Sequence, residues 1–512
     1  MRLFKSVFVI SFFISLSRIL GFIRDVFIAQ YLGAGMMADA FFAAFRLPNF
    51  FRRVFAEGAF NSAFVPIFVD KLQVNNDEQG AKNFVRNILS LLFFVLLAFV
   101  ILLQIFMPLA MKLMFFGFSS DPEKFSLLIH LSRITIIYLL FISIVSLFSG
   151  VLNSMGKFAA PSSVPIILNG TLIASIFVFG AIVPNIAYAL SWGVFCAGVL
   201  QLLWLAFFLA RAKMLVYPVM PIINNDVKHF FKKLIPGIIG ANVMQINLLV
   251  DTMIASLIAG AVSYLYYADR INQLPLAMIG IAINIALLPS LSKAIKSGDK
   301  LQGEKLQNMA LEASLILVIP ATLALTCLAH LIIEGLFQRG AFGANETDLV
   351  AKALMFYSFG LPAYVVVKVL EPGFFARGDT KTPMKIALIC LVNNVILNLI
   401  FFKPFGYIGI VLASICSSYL NVSLLLFNLI KRDYFAFEQK FVSKLIKILI
   451  PAFFMAAILL FLKNYFADFL SPILNLTATI ILGLISYLLA SYLSGSLKIF
   501  SIIKPKTTTI KI

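Results

Sequence analysis

Apolar stretches follow one another along almost the whole chain, about fourteen in all, and each has the roughly twenty residues that a helix needs to cross a bilayer. Short polar connections part them, such as "PVMPIINNDVKHFFKK" from Pro218 to Lys233. Inside hydrocarbon every backbone N–H and C=O must be satisfied without water, which leaves only helices or closed barrels. Ten-residue alternating strands of a barrel are absent from the pattern. Composition agrees: 12% of the residues are charged and 61% hydrophobic, against about 25% charged in soluble domains. The expected fold class is therefore an all-α polytopic membrane protein with no large soluble domain.

The formal charge of +19 could indicate nucleic acid, but its placement argues against that. Basic residues gather in alternate connections: Lys71, Lys82 and Arg86; Arg211, Lys213, Lys228, Lys232 and Lys233; Lys293, Lys296, Lys300 and Lys305; Lys431, Arg432, Lys440 and Lys444. Intervening connections such as 259–263 carry few or none. This is the positive-inside pattern, and it predicts that both termini lie in the cytoplasm. The opening "MRLFKSVFVISFFISLSRILGFIRD" is read as a first, retained span, since no small-residue cleavage site follows and Arg18 interrupts its apolar run. Cys196, Cys327, Cys390 and Cys416 all lie in apolar runs without CxxC spacing and read as small hydrophobes. No metal or catalytic constellation forms around His130, His229 and His330. No nucleophile–base pair is visible, so the chain is not expected to be an enzyme.

The spans fall into two sets of six with two more at the end: residues 1–220, 221–435 and 436–512. The two sets share an internal repeat. "DVFIAQYLG" from Asp25 parallels "DTMIASLIA" from Asp251, "AFRLPN" around Arg46 parallels "ADRINQ" around Arg270, and "NSAFVP" parallels "NIALLP". The offset stays at about 224–226 residues, a repetition that transporters often retain. Six spans is an even number, so the two lobes share one orientation and are expected to enclose a central cavity.

Charge then enters this apolar setting. "FFAAFRLPNFFRRVFAEGAF" (residues 41–60) carries Arg46, Arg52, Arg53 and Glu57. An Arg at the bilayer centre costs about 2.5–3.5 kcal/mol on the lenient insertion scale. Arg18, Arg24, Arg46, Arg52, Arg53 and Arg270, with Asp25, Asp39, Glu57, Asp251 and Asp269, are tolerable only if they face a hydrated interior or one another. Helical spacing supports a shared face: Ser17, Gly21 and Arg24 fall at i, i+4 and i+7, and Arg18, Gly21 and Asp25 at i, i+3 and i+7. Asp39, Arg46 and Arg53 are seven apart, although Pro48 is expected to kink that helix. Asp25, Arg46, Arg53 and Asp269 read equally well as structural ion pairs, and some of the charges as snorkelling helix ends. The arginines outnumber nearby acids, and guanidinium binds phosphate in bidentate fashion. The expected cargo has an anionic head, phosphate or pyrophosphate.

The motifs "SRILGFIRD", "LGAGMMADAFFAAFRLPNFFRRVFAEGAFNSAFVPIF", "YYADRINQLPLAMIGIAINIALLPSLSK" and "KVLEPGFFARGDTKTPMKIA" resemble the lipid II flippases of the MurJ (MviN) type. These belong to the superfamily of multidrug, oligosaccharidyl-lipid and polysaccharide exporters. The resemblance covers essentially the whole chain. It implies a carrier in the bacterial cytoplasmic membrane that moves the undecaprenyl-pyrophosphate-linked disaccharide pentapeptide to the outer leaflet for peptidoglycan synthesis. It places cavity residues on Arg18, Arg24, Asp39, Arg52 and Arg270; the charge pattern itself adds Ser17, Asp25, Arg53, Glu57 and Asp269 as supporting candidates. The last two spans are implied to form a groove for the polyprenyl tail. Some members have a sodium site, which by similarity involves Asp251, Asn394, Asn398 and Ser414; a carboxylate of that pattern is Asn398 here, so the alternative is an interhelical hydrogen-bond cluster. No other cofactor is expected. The partners implied are lipid II, membrane lipid and the cell-wall synthesis machinery.

The mechanism inferred is alternating access, with the arginines neutralising the diphosphate in transit and Asp39, with Glu57, pairing with them in the empty state. Competing readings are an exporter of another lipid-linked polysaccharide precursor and a non-transporting scaffold for cell-wall enzymes.

Overall fold

The structure is a computed structural model that describes residues 2–56, 59–74, 77–241 and 243–496; Glu57 and the tail 497–512 lie outside the described residues, as does the side chain of Arg53. Among the described residues all regular structure is helical. Among the described residues eleven helices are long and apolar enough to cross a membrane, from Glu78–Ile105 to Pro472–Leu493. The other expected spans are helical too: Arg2–Leu32, Met36–Ala56 with Ala59–Val69, and Asn225–Ala241 with Val243–Ala255.

Pro48 and Pro275 are accommodated differently. The helix Met36–Ala56 runs on past Pro48 with no break. In the second half Pro275 ends the helix Ala261–Pro275, and a π-helical turn, Leu276–Ile281, leads into Ala282–Lys296. A proline withdraws one N–H and crowds the preceding turn, and a wider π turn is one way the chain absorbs that.

The chain divides into two compact units, Met1–Ser263 with Arg339–Phe342, and Tyr264–Gln338 with Gly343–Ile512. In the first, Arg2–Leu32 packs on Ala159–Phe179, which packs on Ile186–Arg211, and Met36–Ala56 packs on Pro122–Thr135. Its phenylalanines explain part of the aromatic excess. Phe60, Phe64 and Phe68 recur every four residues, so their rings stack down one helix face at 5.7 and 5.5 Å. Phe84 stacks on Phe64 at 5.4 Å and Phe230 meets Phe60 edge-on. All five are essentially sealed from solvent. Offset and edge-on rings add to burial a preference of about 0.5–1.5 kcal/mol per pair.

In the second unit Lys300–Phe337 and Ala344–Phe375 lie along each other, and Lys381–Phe405 pairs with Tyr407–Lys431. Leu311, Val369, Leu370, Phe374, Leu425 and Leu429 knit these helices into one apolar core. Phe441–Tyr465 and Pro472–Leu493 pack on each other and on Lys300–Phe337. Their outer faces, with Phe453, Phe454, Leu484 and Leu489, are apolar and exposed, as a surface meeting lipid tails requires. Of the cysteines Cys390 is buried and Cys416 exposed, and all four are free thiols.

One connection in this unit predicts a pH effect. Asp379 accepts from the Thr382 N–H (2.9 Å) and hydroxyl (2.6 Å), starting the helix Lys381–Phe405, and from Arg432 Nη1 (2.7 Å). Burial by itself raises the carboxyl, but the Thr382 bonds and the Arg432 guanidinium outweigh it and hold it down to about 2. A depressed folded-state value contributes stability above the unfolded value of about 4 and loses it as pH falls toward 2. The pair is partly exposed, so the effect is below about 1 kcal/mol. The melting temperature of Asp379→Asn should fall short of wild type at pH 6 and converge with it near pH 2; an undiminished gap at pH 2 would contradict the assignment.

Candidate functional site

The first helix places its charges against one neighbour. Arg24 and Asp25 are 7% and 4% exposed in the middle of the unit. Arg24 donates from Nε (3.0 Å) and Nη2 (2.6 Å) to Asp25 Oδ1, and from Nη1 (2.9 Å) to Asn169 Oδ1. Asn169 in turn donates from Nδ2 to the Ser17 carbonyl at 3.0 Å. A Cβ on Gly21 would meet that Nδ2 at 3.3 Å. The stripe Ser17, Gly21, Arg24 is thus one helix face, and Asn169 of Ala159–Phe179 lies across it. The amide fixes the guanidinium plane while Asp25 balances its charge. Arg18, one position round the helix from Ser17, is exposed.

Asp39 is placed otherwise than the cavity reading expects. It is 0% exposed. Its Oδ2 accepts from Lys124 Nζ at 2.6 Å and from the Gly260 N–H at 2.7 Å, and its Oδ1 accepts from the Ser263 N–H at 2.8 Å. Lys124 Nζ also sits 3.9 Å over the Phe118 ring. Gly260 and Ser263 bracket the start of the helix Ala261–Pro275, so the carboxylate supplies the cap that this positive helix end lacks in its own sequence. Lysine and two backbone amides, not arginines, are its partners among the described residues. A helix end and an ammonium together saturate the carboxylate.

Further down the second helix, Arg46 donates to the Leu248 carbonyl at 2.7 Å and Arg52 to Asn49 Oδ1 at 2.9 Å. Residues 18–56 hold five arginines against two aspartates, and Asp25 and Asp39 are engaged by Arg24 and Lys124. The remainder is a net positive stretch in an apolar unit.

In the second unit Arg270 lies half-buried with its guanidinium 4.7 Å over the Tyr266 ring and bonded to the Tyr266 hydroxyl at 3.1 Å. Asp269 accepts from Gln273. Of the residues that the resemblance assigned to an ion site, Asn394, Asn398 and Ser414 come together: Asn398 Nδ2 donates to Asn394 Oδ1 at 2.7 Å, and Asn394 Nδ2 to Ser414 Oγ at 3.2 Å. The trio offers neutral oxygens. Asp251 belongs to the first unit, 8% exposed, with Asn247 Nδ2 at 3.4 Å.

Asn169 and Lys124 were not singled out by the sequence. Asn169 had a usable signal, a lone amide inside an apolar run, which demands a partner. Lys124 had none, since it stands in the polar tetrad "DPEK" and reads as a connection.

Comparison with known proteins follows the same lines. Residues 28–493 match the family described as lipid II flippase MurJ. The chain is 39% identical over 494 residues to a probable lipid II flippase MurJ of Rhizobium tropici, covering 94% of this chain and 92% of that one. It is 36% identical over 500 residues to the Rickettsia prowazekii counterpart, covering 96% and 98%. Among solved structures it resembles a lipid II flippase MurJ in an inward closed conformation, with a TM-score of 0.81, 29% identity and coverage of 95% and 98%. An inward-facing multidrug transporter of the MATE family shares the fold alone, at 15% identity and a TM-score of 0.65. By sequence over nearly its full length, with helices to match, this chain belongs to the MurJ family of lipid II flippases.

Proposed function

We propose that this protein flips lipid II, the undecaprenyl-pyrophosphate-linked disaccharide pentapeptide, from the inner to the outer leaflet of the bacterial cytoplasmic membrane. It is a transporter and not an enzyme. The observation that carries this is the match to proteins named lipid II flippase along 94–96% of the chain. The arginine excess of residues 18–56 is in keeping with that cargo, because an unneutralised diphosphate cannot cross hydrocarbon.

In this reading about fourteen spans form two six-helix lobes and a C-terminal pair, with both termini cytoplasmic. The pyrophosphate enters between the lobes and is held by Arg18, Arg24, Arg52 and Arg270, while Ser17, Asp25, Arg53, Glu57 and Asp269 support them. Asp25 and Asn169 hold the Arg24 guanidinium ready, so little ordering remains when the anion arrives. The tail stays in lipid along Phe441–Tyr465 and Pro472–Leu493. The lobes then rock and the head group is released outside. Asp251, Asn394, Asn398 and Ser414 would supply the oxygen ligands of a coupling sodium ion. Cell-wall enzymes that consume the product are the expected neighbours.

The test is translocation of fluorescent lipid II by purified protein in vesicles, with and without an imposed potential and with sodium exchanged for choline. Wild type should flip. Arg270→Ala should lower the rate by about tenfold or more, the value of one charge-assisted contact of 1.5–3 kcal/mol, while Arg270→Lys keeps part of it. Wild-type vesicles no faster than empty ones would refute the proposal.

A further inference from the structure

A proline inside a helix has no N–H for the carbonyl four residues before it. In a membrane no water makes up the loss, so that carbonyl needs a donor from elsewhere in the protein. Side chains of neighbouring helices supply one at four such places. Thr135 Oγ1 donates to the Ala44 carbonyl, before Pro48, at 3.0 Å. Asn284 Nδ2 donates to the Lys368 carbonyl, before Pro372, at 2.9 Å. The Tyr487 hydroxyl donates to the Ile316 carbonyl, before Pro320, at 2.7 Å. Ser494 Oγ donates to the Lys447 carbonyl, before Pro451, over a longer 3.4 Å. These last two donors sit on the helix Pro472–Leu493 and on the residue that follows it.

Tyr487 makes the shortest of these bonds. Its side chain is buried, at 4% exposed, and Pro320 stands in the largely apolar run 313–329. Two further bonds tie the C-terminal pair to the same helix: Lys444 Nζ donates to Glu312 Oε1 at 2.8 Å, and Lys463 Nζ to the Cys327 carbonyl at 3.2 Å. At 3.6 residues per turn, Glu312, Ile316 and Cys327 fall on one stripe of Lys300–Phe337. The two carbonyls differ in what a shift of the pair would cost. Cys327 keeps the Leu331 N–H of its own helix if Lys463 withdraws. Ile316 has no such reserve, so a slip of Pro472–Leu493 leaves a bare carbonyl in hydrocarbon. We infer that Tyr487 is a positioning residue for flipping: through the carbonyl that Pro320 sets free, it fixes the C-terminal pair on Lys300–Phe337 and so holds in place the wall along which the polyprenyl tail runs. The inference rests on the tail path proposed above, and adds the bond that keeps this path in register with the second unit.

A bond that only added stability would affect every cargo alike, whereas one that sets the tail wall matters only to a cargo long enough to reach it. Flipping in vesicles is therefore measured for fluorescent lipid II with an undecaprenyl tail and with a farnesyl tail, beside thermal unfolding in detergent. Tyr487→Phe keeps the ring and removes the donor. It should flip the undecaprenyl form about threefold to tenfold more slowly than wild type, the range set by one hydrogen bond, and the farnesyl form as fast as wild type does. Adding Pro320→Ala returns an N–H to Ile316 within its own helix. The double variant should regain most of the melting temperature yet keep the slow undecaprenyl rate, because the carbonyl is satisfied but the helices are no longer joined through it. Equal slowing of both tails by Tyr487→Phe, or recovery of the undecaprenyl rate in the double variant, would overturn the inference. Should Tyr487→Phe fail to elute as folded protein, the double variant carries the comparison: it must lose rate on the long tail alone, or the inference fails. A wild type that flips both forms equally fast would instead refute the tail path, and this role with it, whatever the variants do.

Discussion

Arg24→Ala is expected to abolish lipid II flipping and to lower stability by about 3–5 kcal/mol, the cost of breaking a buried pair from one side. The carboxylate of Asp25 is 4% exposed and would lose the guanidinium that bonds it through Nε and Nη2. The two effects are separable by what replaces the arginine. Arg24→Lys keeps the charge beside Asp25, so most of the stability should return, but an ammonium cannot span Asp25 and Asn169 in one rigid plane. Its flipping rate should stay at least tenfold below wild type, the order of one lost charge-assisted bond. Asn169→Leu removes the other support and should slow flipping with little change in melting temperature beyond about 1–2 kcal/mol. An Arg24→Lys protein as fast as wild type would leave only an ion pair that holds two helices together, with no role in orienting the head group.

Gly33→Ala should be nearly as damaging to folding although it alters no charge. Gly33 sits at φ 71°, where a side chain costs about 1–2 kcal/mol, and its Cβ would lie 2.5 Å from the Ala341 carbonyl oxygen. That oxygen is backbone and cannot swing aside, so overpacking adds about 1–3 kcal/mol. Two residues away, Gly35 has nothing within 4 Å of a Cβ and an ordinary φ. Gly35→Ala should therefore melt within about 0.5 kcal/mol of wild type. Thermal unfolding in detergent compares the two directly, and equal melting temperatures for both variants would mean that residues 339–342 do not dock on the first helix.

Much of this protein is legible before any coordinates. Apolar runs of span length marked the chain as a succession of membrane helices, because burial in lipid depends on local hydropathy. The Ser17–Gly21–Arg24 stripe was legible because helical spacing is fixed, and Asn169 does lie across it. How the chain accommodates each proline was not, since a proline's missing bond has several remedies: the helix continues past Pro48, while Pro275 leads into a π turn. Asp39 was misleading for a deeper reason. Its partners are an ammonium 85 residues away and two main-chain amides more than 220 away, and main-chain amides carry no mark in a sequence. The 224-residue step from Asp39 to Ser263 falls within the repeat offset, so equivalent points of the two halves touch there.

By itself, then, the sequence determined that this chain lives in a membrane, that it is helical, which connections carry the positive charge, that arginine exceeds acid in the leading spans, and to which family it belongs. Only the tertiary structure decided which charges are already answered within the protein: Arg24 by Asp25 and Asn169, and Asp39 by Lys124 and a distant helix end. Hydropathy and helical period act between neighbours in the chain and add up residue by residue. The energy of a desolvated charge depends instead on the few groups within hydrogen-bond reach, and folding alone brings those together.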